Sequence, residues 1–158
     1  MALFKTSTPS GSFGFTIMEI LVVLGIFALL AGFALVVSID AYRSHNFRSE
    51  QEQLLGVLLK ARSQSVNNIN QKPHGVHLDS ATQYTLFEGN TYATRDAGKD
   101  IVFSKPGFTL GGATELIFSQ LTGQPNVTGY ISLDDHIHPV YKLCINGEGQ
   151  INAKATCS

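Results

Sequence analysis

The chain has 158 residues, 15% of them charged, and a formal net charge of −1. That length allows one modest domain beside a separate N-terminal segment. The near balance of charge lacks the basic excess of an electrostatic nucleic-acid binder, and the positive mean hydropathy of +0.10 comes mostly from one stretch.

Residues 1–14, "MALFKTSTPSGSFG", are short and polar, with Lys5 as their one charged side chain. From Ile20 to Val37 every residue is apolar or glycine. As a helix this run spans roughly 27 Å, close to a hydrocarbon core of about 30 Å, which predicts a single transmembrane helix. A cleaved secretory signal has a shorter apolar region followed by a small-residue cleavage site; Ala28 to Ala34 offers no polar flank for one. Lys5 precedes the span while Arg43 and Arg48 follow it, so charge counting alone does not orient it. The two cysteines, Cys144 and Cys157, fit an oxidising exterior and place the C-terminal part outside. Gly25, Ala28 and Gly32 lie near one helical face, which suits close helix packing as well as ordinary membrane glycine usage.

One residue breaks the apolar pattern. Glu19 sits at the mouth of the run, directly behind Gly14-Phe15-Thr16. An ionised carboxylate in the apolar zone costs up to about 3 kcal/mol unless it is paired, and less near a helix end.

Beyond Asp40 the sequence stays helical. Phe47, Gln51, Leu54, Leu55, Leu58, Ala61 and Ser65 follow a three-four spacing, widened by Val57 and Leu59. The spacing predicts an amphipathic helix over 40–71 that Pro73 stops. Residues 72–158 then read as strands: "HGVHLD" and "TQYTLFEG" as a hairpin, followed by "DIVFS", "GFTL", "TELIFSQ", "VTGYISLD", "PVYKLCIN" and "GQINA". Turn signals at Pro106-Gly107, Gly111-Gly112, Thr122 to Pro125 and Asn146 to Gly149 separate them. The expectation is an α+β fold. A long helix packs through its second half on one small, mostly antiparallel sheet, because so little sheet cannot complete a core alone.

Three weaker signals remain. Cys144 and Cys157 suit a disulfide closing a terminal loop, or two free thiols in a reducing envelope. "DDHIH" would set His136 and His138 on one side of a strand beside Asp134 and Asp135, a polar strand edge or loop more than a metal site. His74 and His77 read as surface residues. No nucleophile elbow, phosphate loop or metal-protease helix is present, so neither enzymatic activity nor a cofactor is expected.

Gly14-Phe15-Thr16-Ile17-Met18-Glu19 ahead of an apolar helix resembles the processing and methylation motif of the type IV pilin and pseudopilin superfamily. Met18 stands where leucine or isoleucine is commoner, and the proline found partway along many pilin helices is absent. The resemblance implies a leader, 1–14, cut by a membrane aspartyl prepilin peptidase between Gly14 and Phe15. It implies N-methylation of Phe15, and pairing of Glu19 with the Phe15 amino group of a neighbouring subunit during assembly. An α-amino group is largely protonated at neutral pH, so cleavage creates a cation that Glu19 lacked before. Four residues separate the two, so pairing within one helix is equally open.

The resemblance further implies residues 15–39 as the membrane and assembly helix, 40–71 as the stalk, and 72–158 as a β-rich head. Its partners would be other pilin or pseudopilin subunits, the peptidase and methyltransferase, membrane lipid before assembly, and indirectly an assembly platform with its ATPase. The chain would sit in the cytoplasmic membrane and pass into a periplasmic or cell-surface filament. "LLKARSQSVNN", "GVHLD", "LIFSQLTGQPNVTGYISL" and "LCINGEGQINA" resemble, more loosely, the minor pseudopilin H and FimT-like group, hence a type II secretion subunit. Some relatives bind DNA through arginines near the C-terminus. Here Gly149-Gln150-Ile151-Asn152 has none, and from Lys72 onward six Lys or Arg face eight Asp or Glu, so DNA is not an expected partner.

Overall fold

The computed structural model describes residues 14–157, and for residues 34–40 the backbone alone. One helix, α1 (Ile17–Val66), precedes eight strands: β1 (His74–Ser80), β2 (Gln83–Glu88), β3 (Ile101–Ser104), β4 (Thr109–Gly112), β5 (Glu115–Phe118), β6 (Gly129–Asp134), β7 (Tyr141–Ile145) and β8 (Ile151–Ala153). The chain divides into two compact units, Met1–Ser44 and His45–Ser158.

In the first unit every described side chain from Gly14 to Phe33 is exposed. Among the described residues no helix is long and apolar enough to cross a membrane. The apolar run that predicts a span continues past Phe33 into residues 34–40, whose side chains lie outside the described residues, as do residues 1–13 of the expected leader.

The second unit holds the core. Phe47, Leu54, Val57, Leu58 and Ala61 of α1 are buried in one cluster with Val76, Leu86, Leu116, Phe118, Ile131, Leu133 and Leu143 from the strands. This is the helix face read from the three-four spacing, with one correction. Leu59 is 47% exposed. Val57 lies three residues after Leu54 and four before Ala61, inside the stripe, whereas Leu59 falls beyond its far flank.

The strands form two antiparallel sheets where one was expected, ordered β3-β2-β1-β5 and β4-β6-β7-β8. The chain leaves β3 through Pro106-Gly107, and β4 pairs with β6 instead of returning to β3. Gly112, at φ 100°, makes that pairing possible, since a Cβ there would lie 2.1 Å from the Tyr130 carbonyl oxygen. A backbone bond from Leu110 N–H of β4 to Ala81 O in the β1–β2 turn (2.6 Å) joins the sheets, while Leu78 N–H to Thr114 O (2.7 Å) prolongs the β1–β5 pairing.

The helix also ends before Pro73, at Val66. Asn68, Asn70 and Gln71 all have φ near the left-handed region, 53–54°, a conformation that asparagine tolerates and an α-helix cannot include. Ser65 ties this end to β1: its Oγ accepts from the His74 N–H at 2.8 Å and donates to the His74 carbonyl at 3.4 Å.

β2 is buried along nearly its whole length because both of its faces are covered. Tyr84 and Leu86 enter the core. On the other face Tyr92, from a short 3₁₀ turn at Tyr92–Thr94, stacks on His77 (3.8 Å between ring centres) and meets Phe87 edge-on (5.4 Å).

Candidate functional site

Gly14, Phe15 and Thr16 precede α1 without helical structure, and all three are exposed. The Thr16 side chain starts the helix. Its Oγ1 accepts a hydrogen bond from the Glu19 backbone N–H at 3.2 Å, and its carbonyl accepts the first intrahelical bond, from Ile20 N–H, at 3.2 Å. Thr16 is therefore the N-cap and Glu19 the third helical residue, the spacing of a capping box. A carboxylate in the first turn also faces the positive end of the helix dipole, which favours it by up to about 1 kcal/mol at an exposed site. Thr-x-x-Glu is legible in the sequence as a helix start. No space restriction surrounds Gly14.

At the other end of the chain Cys144 and Cys157 are bonded, with their Cα atoms 5.4 Å apart. Leu143 and Ile145 point into the core on either side of Cys144, so the bond holds the tail against the outer face of β7. It borders an open cavity of about 440 Å³ lined in part by Tyr130, Asn152 and Lys154.

The β7–β8 hairpin, which carries no arginine of its own, meets one from α1. Arg62 donates from Nε to the Gly123 carbonyl (3.3 Å) and from Nη2 to the Glu148 carbonyl (3.2 Å). Its guanidinium is thus occupied in joining the helix to two turns. Gly149, at φ 74°, packs so closely there that a Cβ would lie 2.1 Å from Gly123 O.

The histidines require correction. His74 is not a surface residue but 4% exposed, because its inward-facing position on β1 pairs with buried Glu88 on β2. Lys99 Nζ lies 2.9 Å from the Glu88 carboxylate, Asn70 Nδ2 2.6 Å, Lys72 Nζ 3.4 Å and His74 Nε2 3.9 Å. The Lys99 hydrogen bond, joined by those of Asn70 and Lys72, outweighs burial and pushes the Glu88 pKa down to about 2. Burial lowers the His74 pKa, with Glu88 opposing the shift.

His77 is half-buried under Tyr92 and lies 3.2 Å from Asp79. Asp79 also accepts from Tyr92 OH and from Thr85 Oγ1. Burial opposes ionisation of Asp79, but these bonds from Thr85, Tyr92 and His77 outweigh it and lower its pKa. Arg95 stacks over Tyr92 at 3.5 Å and pairs with Asp100 at 2.7 Å. The cluster fastens the 3₁₀ segment to the sheet.

His136 and His138 stand in a loop after β6, not on a strand. Asp134 Oδ1 accepts from His136 N–H, and Asp135 Oδ1 from Ile137 and His138 N–H. These side-chain bonds replace the ladder a strand would need. His138 turns inward to stack on Phe47 (5.0 Å) and pairs with Asp135 (2.7 Å), while His136 lies beside Thr109. Among the described residues no three His, Cys, Asp or Glu side chains gather as a metal site.

Two antiparallel sheets closed on the C-terminal half of an N-terminal helix describe the head. No family model matches the chain, and no curated protein does. Among solved structures it is similar to the type IV minor pilin FimU of Pseudomonas aeruginosa strain PAO1, with 16% identity, 68% of this chain and 91% of that chain covered, and a TM-score of 0.55. The fold is a pilin fold. At that identity the likeness is one of architecture.

Proposed function

We propose that this chain is a structural subunit of a type IV pilus-like filament. The observation that carries the reading is the Gly-Phe-Thr-Ile-Met-Glu start of a helix whose far end lies in a head of minor-pilin fold. In this reading the run from Ile20 to Val37 holds the chain in the cytoplasmic membrane with its head outside. A prepilin peptidase removes residues 1–14, a methyltransferase modifies the Phe15 amino group, and Glu19 pairs with such an amino group as neighbouring subunits assemble. The platform and its ATPase act on the assembled helices, and the chain itself has no catalytic role.

Two filaments would use such a subunit. The "LLKARSQSVNN" to "LCINGEGQINA" segments favour an H-like minor pseudopilin of type II secretion, and the likeness to FimU favours a minor type IV pilin; adhesion or DNA uptake would be the task of such a pilin. Deletion followed by assays of protein secretion and of surface pili separates them.

Co-expression with a prepilin peptidase and mass measurement tests the common part. The expected product lacks residues 1–14 and carries the mass of one added methyl group. An uncut chain would leave only a membrane-anchored ectodomain. A Glu19→Ala chain should be cut yet fail to enter filaments; normal incorporation would remove Glu19 from assembly.

A further inference from the structure

A peptide bond inside an α-helix is a poor protease substrate. Its N–H and C=O are engaged in the i to i−4 ladder, and the turn above shields it. The bond between Gly14 and Phe15 lies two residues ahead of the first helical residue, Ile17, and what holds that boundary is the Thr16 hydroxyl on the Glu19 N–H. We propose that Thr16 is a positioning residue for processing: as N-cap it starts α1 at Ile17 and keeps the Gly14–Phe15 bond outside the helix, where a peptidase can hold it extended. The inference rests on the processing reading above. In the cut itself water adds across the amide. The Gly14 carbonyl carbon takes the hydroxyl, and the Phe15 nitrogen takes the proton and leaves as the new amino terminus.

The sequence shows why the boundary needs holding. The next hydroxyl upstream is Ser12. A helix capped there would carry Phe13, Gly14 and Phe15 as its first turn, with the scissile bond inside it. Gly14 opposes that extension, since glycine is the weakest helix former after proline, and the Thr16 cap supplies the positive signal to start later. The hydroxyl is short, exposed and replaceable by any N-cap acceptor, which makes the role separable from recognition of threonine as such.

The experiment measures the cleavage rate of the full chain in membranes with a co-expressed prepilin-type aspartyl peptidase, by pulse-chase and mass. Thr16→Val keeps the shape and loses the acceptor, and should be cut about fivefold more slowly, the scale of a lost cap. Thr16→Ser, Thr16→Asn and Thr16→Asp should be cut within about twofold of the parent, following the N-cap preference. Hydrogen exchange at the Glu19 amide should speed up in Thr16→Val alone. Equal rates for Thr16→Val and the parent would overturn the capping role. Slow cleavage of the Asn and Asp chains would overturn it too, because it would mean direct recognition of the hydroxyl. A parent chain that is never cut after Gly14 would instead end the processing reading, and the inference with it.

Discussion

The first and second halves of α1 are continuous in backbone and opposite in chemistry. From Ile20 to Phe33 the helix is apolar on all sides and wholly exposed; from Phe47 to Ser65 it is apolar on one face, and that face is buried. A helix apolar all round finds its burial in a bilayer or among other helices, while an amphipathic one finds it in its own domain. The difference teaches that only the half with a polar face is completed by its own domain.

The largest way to test that contrast is to truncate each half. Leu58→Ala, at a fully buried position, should lower head stability by about 2–5 kcal/mol, seen as a fall in the thermal midpoint. Leu24→Ala, on the exposed half, should leave that midpoint unchanged; a comparable loss would break the division. Next in size is the tail. Cys144→Ser with Cys157→Ser should cost about 3 kcal/mol in urea unfolding, with no effect on cleavage after Gly14.

The smallest is the buried charge. Glu88→Gln should cost about 2 kcal/mol at neutral pH, since Lys72 and Lys99 lose their anion. The folded pKa of Glu88, about 2, lies below its ordinary 4.5. Its contribution is therefore present above about pH 4.5 and is lost as pH falls toward 2. The Gln variant should flatten that limb of the stability curve, and an unchanged acid limb would show that Glu88 does not supply it.

Much of this molecule was readable residue by residue. Six of the eight strands lie within a segment marked by alternation and turn residues, and the helix stripe through Leu54, Leu58 and Ala61 lies where its spacing put it. β1 runs one residue past its segment, and β4 takes in Gly111-Gly112, which reads as a turn in the sequence but pairs with β6. The errors share a cause. His74 looked like a surface residue because nothing near it in sequence reveals Glu88, fourteen positions on, as its cross-strand neighbour. The two histidines of "DDHIH" left the strand because their own aspartates satisfied the backbone locally. Arg62 reached the terminal hairpin from a helix more than eighty residues earlier, a distance no local pattern spans.

By itself, then, the sequence determined what depends on neighbours along the chain: the Thr16-x-x-Glu19 helix start, the apolar run, the amphipathic stripe and the turns. These follow from backbone propensity and periodicity, which act within a few residues. The tertiary structure alone decided the division of eight strands into two sheets, the burial of His74 against Glu88 and the occupation of Arg62 by two carbonyls. Those outcomes depend on which distant groups come together, and strand pairing across long loops is chosen by the packing of the whole core.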